Sequence, residues 1–138
     1  MKEEIILGLL TWISSTTAYD VDFPHPNIVM TTQHNMCELY GISDYDQCNM
    51  SGLRGFYDQD LTIYLGTDFD PEDPHTVSRL LHELTHYIQY QNHEHDQTCL
   101  GHLELEAYAV QDKWREKHGL EPTLDVFRQI LLEDSCSA

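Results

Sequence analysis

The sequence predicts an α+β fold. Apolar residues recur at helical spacing in four segments, a β-branched run near residue 30 has the composition of a strand, and two short apolar runs flank a polar turn near residue 59. A chain of 138 residues is long enough to bury one hydrophobic core and too short for two. We therefore expect one domain, spanning residues 1–138.

The first helical segment lies close to the N-terminus. Residues 5–13 have the apolar spacing of an amphipathic helix. The same run, with small residues up to Ala18, also has features of a secretory signal, but signals begin with basic residues and Glu3 and Glu4 are acidic. The run is too short to span a membrane. We interpret it as the first helix of the fold.

Strands are predicted in two regions. Residues 27–32 form the β-branched run, and residues 33–54, which follow it, are expected to be irregular. Phe56-Tyr57 and Leu61 to Leu65 flank a polar turn at Asp58 to Asp60. This arrangement predicts a β-hairpin.

Two helices are predicted near the C-terminus. The first extends from about Leu100 to His118 and ends at Gly119. Thr123 is expected to cap the second, which extends to about residue 133. The apolar face of this last helix would consist of Leu124, Phe127, Ile130 and Leu131.

The central predicted helix carries the segment His82-Glu83-Leu84-Thr85-His86. Asp73 and Pro74 supply an N-cap and a first-turn proline, and the helical pattern continues to Tyr90. Histidines four residues apart lie on one face of a helix, so both imidazoles can bind one zinc ion. Glu83 would lean toward that ion as a base for a water molecule rather than as a ligand.

A catalytic zinc site normally has three protein ligands, so a third residue is required. Asn92 stands where the extended pattern H-E-x-x-H-x-x-G-x-x-H would place a third histidine. The helix that starts near Leu100 offers three alternatives, His102, Glu104 and Glu106.

A helical wheel separates these alternatives. Glu104 shares one flank of the helix with Tyr108 and Gln111, which suits a metal site and its hydrogen-bond partners. Glu106 shares the other flank with Lys113 and Lys117, which indicates a solvated surface. The wheel favours Glu104 over Glu106, with His102 third. The core stripe between the flanks would be Leu100, Leu103, Ala107, Val110 and Trp114.

The two helical motifs together resemble the gluzincins, zinc metallopeptidases whose metal is bound by two histidines and one glutamate. His82 to Gln89 reads H-E-L-x-H-x-x-Q, and Glu104 to Gln111 reads E-x-E-A-Y-x-x-Q, as in small bacterial and phage-type domains of this kind. Better-known gluzincins have an aspartate one turn after the ligand glutamate, where this chain has Tyr108.

The resemblance implies a minimal zincin-like domain that hydrolyses peptide bonds. Zn²⁺ would be held by His82, His86 and Glu104, with Glu83 acting first as base and then as acid. A second donor for the oxyanion would be Tyr108, or a histidine such as His102.

The resemblance also implies an edge strand beside the metal-binding helix, to which an extended peptide substrate would pair. Leu61 to Leu65 is the expected strand. The alternative function is a non-catalytic module, stabilised by zinc, that binds a partner through an acidic surface. Loss of activity on replacing Glu83 would distinguish the enzyme from the module.

Four cysteines allow three pairings, and none has the C-x-x-C spacing of a zinc site. Cys37 can close a local loop with Cys48, and Cys99 can pair with Cys136. Paired cysteines would indicate a secreted or periplasmic protein, and reduced cysteines a cytoplasmic one.

The charge of the chain restricts its partners. Seven lysines and arginines against 24 aspartates and glutamates give a net charge of −17. Such a surface repels nucleic acids and anionic membranes, so we expect neither as a partner. The partner that the resemblance implies is a peptide or protein substrate. His93 and His95 lie in a polar loop at residues 92–96 and are more typical of solvated side chains than of a second metal site.

Overall fold

The computed structural model describes residues 3–51, 55–58 and 61–136. Within these ranges the chain has a mixed helical and strand architecture, which confirms the predicted α+β class. The elements are α1 (Glu3–Thr16), β1 (Asn27–Thr31), α2 (Gln33–Tyr40), α3 (Tyr45–Ser51), β2 (Gly55–Asp58), β3 (Thr62–Gly66), α4 (Pro74–Gln91), α5 (Leu100–Lys117) and α6 (Val126–Asp134), with a 3₁₀ turn at Glu94–Asp96 before α5.

Helix α4 lies at the centre of the fold. Its N-terminus is set as predicted: Pro74 is the first helical residue, and the Asp73 side chain accepts a hydrogen bond from the backbone N–H of His75. The helix is buried on most of its circumference, and its polar residues Ser78, Thr85 and Gln89 are among the fully buried ones. Neighbouring elements therefore enclose most of α4 and leave the histidine face partly open.

Helix α1 covers one side of α4, as expected for a structural first helix. Ile6, Leu9, Leu10 and Ile13 are buried in the same apolar cluster as the core residues of α4. The indole N–H of Trp12 donates to the carbonyl of Val110, which ties α1 to α5. None of the described helices combines the length and the apolarity that crossing a bilayer requires.

The three described strands form one sheet in the order β1-β3-β2. β2 pairs antiparallel with β3, so the hairpin is confirmed, although residues 59 and 60 of its predicted turn lie outside the described residues. The prediction that Leu61 to Leu65 form an edge strand is wrong. β1 pairs parallel with β3 on its other side, so β3 is the central strand. A local sequence pattern predicts the pairing of two strands in a hairpin. It does not predict the parallel pairing of β1, which is distant in sequence.

Strand β2 is an edge strand of this sheet and packs against α4. Gly55 begins the strand close to the histidine helix. A Cβ at this position would lie 3.6 Å from Cγ of Glu83 and 3.2 Å from the carbonyl oxygen of Tyr64. The contact with Tyr64 would be tight and that with Glu83 ordinary, so the start of β2 lies directly against Glu83.

The segment predicted to be irregular at residues 33–54 contains α2 and α3, so that prediction is wrong for its described part. Thr32 caps α2 by accepting from the backbone N–H of Asn35, and Gly41 ends it with φ +103°. A disulfide joins Cys37 to Cys48 across the two helices. Helices this short carry too few turns for a clear apolar period and are stabilised by caps and cross-links.

Helix α5 follows its predicted limits and ends before Gly119, which has φ +75°. Most of the predicted core stripe is buried, namely Leu103, Ala107, Val110 and Trp114. Leu100 is instead 71% exposed, because it is the first residue of the helix and projects beyond the packed turns.

Helix α6 begins later than predicted. Thr123 donates to Oδ1 of Asp112 through both its backbone N–H and its hydroxyl, and the cap is Asp125, which accepts from the N–H of Arg128. The predicted apolar face is not a core face, since its members Phe127, Ile130 and Leu131 are exposed, as is Val126. A disulfide between Cys99 and Cys136 attaches the end of α6 to the start of α5.

The contact between α5 and α6 depends on Gly101. A Cβ there would lie 2.3 Å from the carbonyl oxygen of Leu132, whereas a Cβ at Gly8 of α1 would meet no atom within 4 Å. We expect Gly101→Ala to lower the free energy of unfolding by about 1–3 kcal/mol through overpacking. Gly8→Ala should raise it by about 0.5–1 kcal/mol, because alanine loses less conformational freedom in a helix.

Urea denaturation of the oxidised variants, each compared with the wild type, measures both changes. Equal stability of wild type and Gly101→Ala would contradict the close packing of α6 on the start of α5.

Candidate metal centre

The structure brings His82, His86 and Glu104 together. Their potential ligand atoms all lie within 4.8 Å of one another. Oε1 of Glu104 is 3.4 Å from Nε2 of His82 and forms an ion pair with Nε2 of His86. Helix α4 supplies both histidines from one face, and α5 supplies the carboxylate opposite them. This group can hold a metal ion.

The other ring nitrogen of His82 is fixed by a glutamine. Nδ1 of His82 lies 2.9 Å from Oε1 of Gln111, an oxygen that only accepts hydrogen bonds. Gln111 in turn donates to the hydroxyl of Ser78, at 3.4 Å, and the buried Arg115 donates to the same hydroxyl at 2.9 Å. The proton of a neutral His82 therefore lies on Nδ1, and the lone pair of Nε2 faces Glu104.

His86 is oriented in the same way by a second glutamine. Nδ1 of His86 lies 2.8 Å from Oε1 of Gln89. Gln89 is fully buried and donates to the carbonyl of Leu103 at 2.9 Å and to Oε1 of Glu106 at 3.0 Å. Each histidine thus presents Nε2 to the same point, where the Glu104 carboxylate also lies.

Glu106 is therefore not the solvated surface residue that the wheel predicted. Its carboxylate accepts hydrogen bonds from Gln89 and from the hydroxyl of Tyr19. Tyr19 lies in the segment after α1, which covers this turn of α5. The two lysines further along the same flank gave a misleading picture, because they are exposed whereas Tyr19 contacts the turn that carries Glu106.

The electrostatics at this point favour positive charge. Burial acts to lower the pKa of His86, but its hydrogen bond to Glu104 and the charges of Glu83 and Glu104 raise that pKa to about 9. Burial acts to raise the pKa of Glu104, but hydrogen bonds and charge from His82 and His86 hold it well below its ordinary range. Two imidazole lone pairs and a carboxylate that converge in this way require a cation between them, either a proton or a metal ion.

Glu83 also faces this group. Its side chain is half-buried, and its charge contributes to raising the pKa of both His86 and Tyr108. The first residue of β2, Gly55, lies against its side chain. The side chain of Glu83 thus lies near both the histidine group and the start of the edge strand.

Tyr108 packs against His82 from the α5 side, with ring centroids 4.6 Å apart and an interplanar angle of 60°. Its hydroxyl accepts a hydrogen bond from Nη1 of Arg128 at 3.0 Å, so the phenolic proton remains available for donation. Burial raises the pKa of Tyr108, and Arg128 opposes this rise. Sequence reasoning missed Arg128, because nothing in the pattern of α6 indicates which turn of α5 it contacts.

The other histidine candidates lie elsewhere. His102 is exposed and hydrogen-bonds to Thr98, away from the group formed with Glu104. Two cysteines near His102 are joined in a disulfide and offer no thiolate. His93, His95 and Asp96 approach one another in the 3₁₀ turn, but Nδ1 of His95 is buried with no partner among the described residues. A metal on Nε2 of His95 would leave a buried N–H unsatisfied at Nδ1.

Comparison with known proteins assigns the chain to a family. No curated protein and no solved structure matches the chain. The family model matches residues 1–138, which include every residue of the candidate metal centre. The chain therefore belongs to the DUF6647 family, a domain of unknown function.

Proposed function

We propose that this protein is a zinc-dependent metallopeptidase with a gluzincin-type site. The observation that carries the proposal is the convergence of His82, His86 and Glu104, with Glu83 beside them on α4. Two histidines and one glutamate are a ligand set of catalytic zinc sites, which keep a fourth position open.

The donor set suits zinc better than the hard cations. Calcium and magnesium prefer six or more oxygen ligands, whereas two imidazole nitrogens and one carboxylate suit zinc. The amide partners of both histidines support this assignment, because a ligating imidazole needs its other nitrogen to donate to an acceptor. Glu106 and Ser78 extend the support by holding those two amides.

Zinc bound here would polarise the scissile carbonyl and make an adjacent water molecule more acidic. Glu83 takes a proton from that water as the water oxygen attacks the carbonyl carbon, and delivers it to the amine nitrogen as the C–N bond breaks. The charge of Glu83 raises the pKa of His86, which indicates that Glu83 is close to the proposed metal position. Glu83 is not one of the three converging ligands, so its carboxylate can act as the base.

Tyr108 is the proposed donor to the oxyanion. Its ring packs against His82, and its own proton is not used by the hydrogen bond with Arg128. A phenol that keeps its proton can donate to an oxygen that gains charge in the transition state. His102, the alternative donor, is exposed and does not face the group.

Strand β2 is the proposed substrate-binding strand, in place of Leu61 to Leu65. It is an edge strand, so its outer backbone groups can pair with an extended peptide. Gly55 places the start of this strand against Glu83, so a paired peptide would run past the proposed base. This combination of edge strand, α4 and α5 is the basis for proposing a zincin-like architecture. The two disulfides support an extracellular or periplasmic location.

The metal site yields the first functional prediction. Wild-type protein should bind one zinc ion, and Glu104→Ala should weaken zinc binding by more than about a hundredfold because a ligand is removed. Glu106→Ala should weaken it by about tenfold, since it releases Gln89 from its partner. Glu116→Ala, which removes an exposed carboxylate from the same helix, should have no effect.

Competition with a chromogenic chelator measures the zinc affinity of all four proteins. Absence of stoichiometric zinc in the wild type would end the proposal. A larger loss of zinc affinity in Glu106→Ala than in Glu104→Ala would show that Glu106, and not Glu104, is the third ligand.

A second prediction separates an enzyme from a zinc-stabilised binding module. Glu83→Gln should keep zinc and stability but lower kcat on a peptide library by about 10²–10⁴-fold, because the base is lost. Mass spectrometry of the digested library measures the cleavage. If zinc-loaded wild type cleaves nothing, the binding module becomes the better account.

A third prediction tests the oxyanion donor. Tyr108→Phe keeps the ring against His82 but removes the hydroxyl, so kcat should fall by about 10²–10³-fold with zinc affinity unchanged. Steady-state kinetics and chelator competition on the same preparation provide both measurements. An unaltered kcat would exclude Tyr108 from this role.

A further inference from the structure

We infer that Arg128, seated on Tyr108, forms a subsite that binds a carboxylate of the substrate beside the metal centre. This inference rests on the proposed function and deepens it by naming a chemical feature of the preferred peptide. The carboxylate belongs to an aspartate or glutamate side chain or to a free C-terminus.

The guanidinium of Arg128 is held at the site by a neutral partner. Nη1 donates to the hydroxyl of Tyr108 at 3.0 Å, and the guanidinium carbon lies 5.7 Å from the centroid of the Tyr108 ring. A guanidinium carries five N–H donors, so this single bond leaves an edge available for a carboxylate. The side chain is exposed, so a ligand can reach it.

The other described arginines have their charge or donors satisfied within the protein. Arg79 pairs with Asp68 at 2.8 Å. Arg115 is buried and donates to Ser78 and to the carbonyl of Glu121. No carboxylate of the described residues forms an ion pair with Arg128, and the nearby Asp125 uses its Oδ1 to cap the backbone of α6. Arg128 thus offers a positive charge that its described surroundings do not neutralise.

Local charge makes this arrangement relevant to binding. The chain has a net charge of −17, and the charges of Glu83 and Glu104 would balance that of a bound zinc ion, so a further cation is needed to offset the repulsion of an anionic peptide. Arg128 and His82 both contact the ring of Tyr108, so Arg128 lies at the rim of the same group, one side chain away from a proposed ligand. Arginine can bind a carboxylate through two parallel hydrogen bonds, which adds directional specificity.

The position of Arg128 is fixed by the fold. The disulfide between Cys99 and Cys136 and the close contact at Gly101 both attach α6 to α5, the helix that carries Tyr108 and Glu104. A subsite on packed helices holds its geometry better than one on a loop. An extended peptide advances about 3.3 Å per residue, so a carboxylate at the rim would lie within a few residues of the cleaved bond.

The test uses three peptides that are identical except for one carboxylate. One is neutral with a C-terminal amide, the second has glutamate in place of glutamine near the cleaved bond, and the third has a free C-terminal carboxylate. For zinc-loaded wild type we expect one carboxylate peptide to exceed the neutral peptide in kcat/KM by about tenfold, and the peptide that does so identifies the source.

Arg128→Gln should reduce this ratio to about one, and Arg128→Lys should restore part of it. The ratio cancels any general effect of the substitution on Tyr108. Arg79→Gln removes a half-buried arginine away from Tyr108 and should leave the ratio unchanged, which controls for the total charge of the protein.

Binding of the same peptides to zinc-loaded Glu83→Gln, followed by NMR titration, separates this inference from the proposed function. A dissociation constant about tenfold lower for the carboxylate peptide, and lost with Arg128→Gln, supports the subsite even if no peptide is cleaved. Cleavage or binding without a carboxylate preference, or a preference that survives Arg128→Gln, overturns the subsite and leaves the hydrolase proposal standing.

Discussion

The structure depends on one constraint, the approach of a carboxylate on α5 to two imidazoles on α4. The ion pair between Glu104 and His86 requires the two helices to pack closely, and the fully buried Ala107, one turn after Glu104, provides the small side chain that allows this. Helix α4 must then bury polar groups such as Ser78 and Gln89, which is tolerated because each has a hydrogen-bond partner on α5. The sheet and α1 cover the remaining apolar surface of α4.

The features that the sequence predicts well are those encoded by local spacing. The cap at Asp73, the limits of α4 and α5 and the hairpin all follow from patterns within a few residues. The approach of Glu104, rather than Glu106, to the two histidines also follows from helical geometry, because the two side chains point in different directions from α5. His82, His86 and Glu104 lie together in the structure as that geometry predicts, and whether they bind zinc stays a prediction.

The incorrect predictions concern contacts between residues distant in sequence. The strand predicted at Leu61 to Leu65 lies in the centre of the sheet because β1, more than thirty residues earlier in the chain, pairs with it. Thr123 was unavailable as a cap because Asp112 binds it, and Glu106 is covered because Tyr19 reaches it from the other end of the chain. Each of these contacts is specific and physically ordinary, but none has a periodic signature. The same reason explains why Arg128 could not be placed beside Tyr108 from the sequence.

The glutamine partners of the two histidines have a consequence for how the centre responds to its surroundings. A carboxylate in the place of Gln89 or Gln111 could take up a proton in acid and would then no longer accept from the imidazole. An amide does not titrate, so Gln89 and Gln111 remain acceptors at every pH at which the fold persists. Acidity would therefore not remove these two hydrogen bonds, which orient His82 and His86 from the side opposite Glu104.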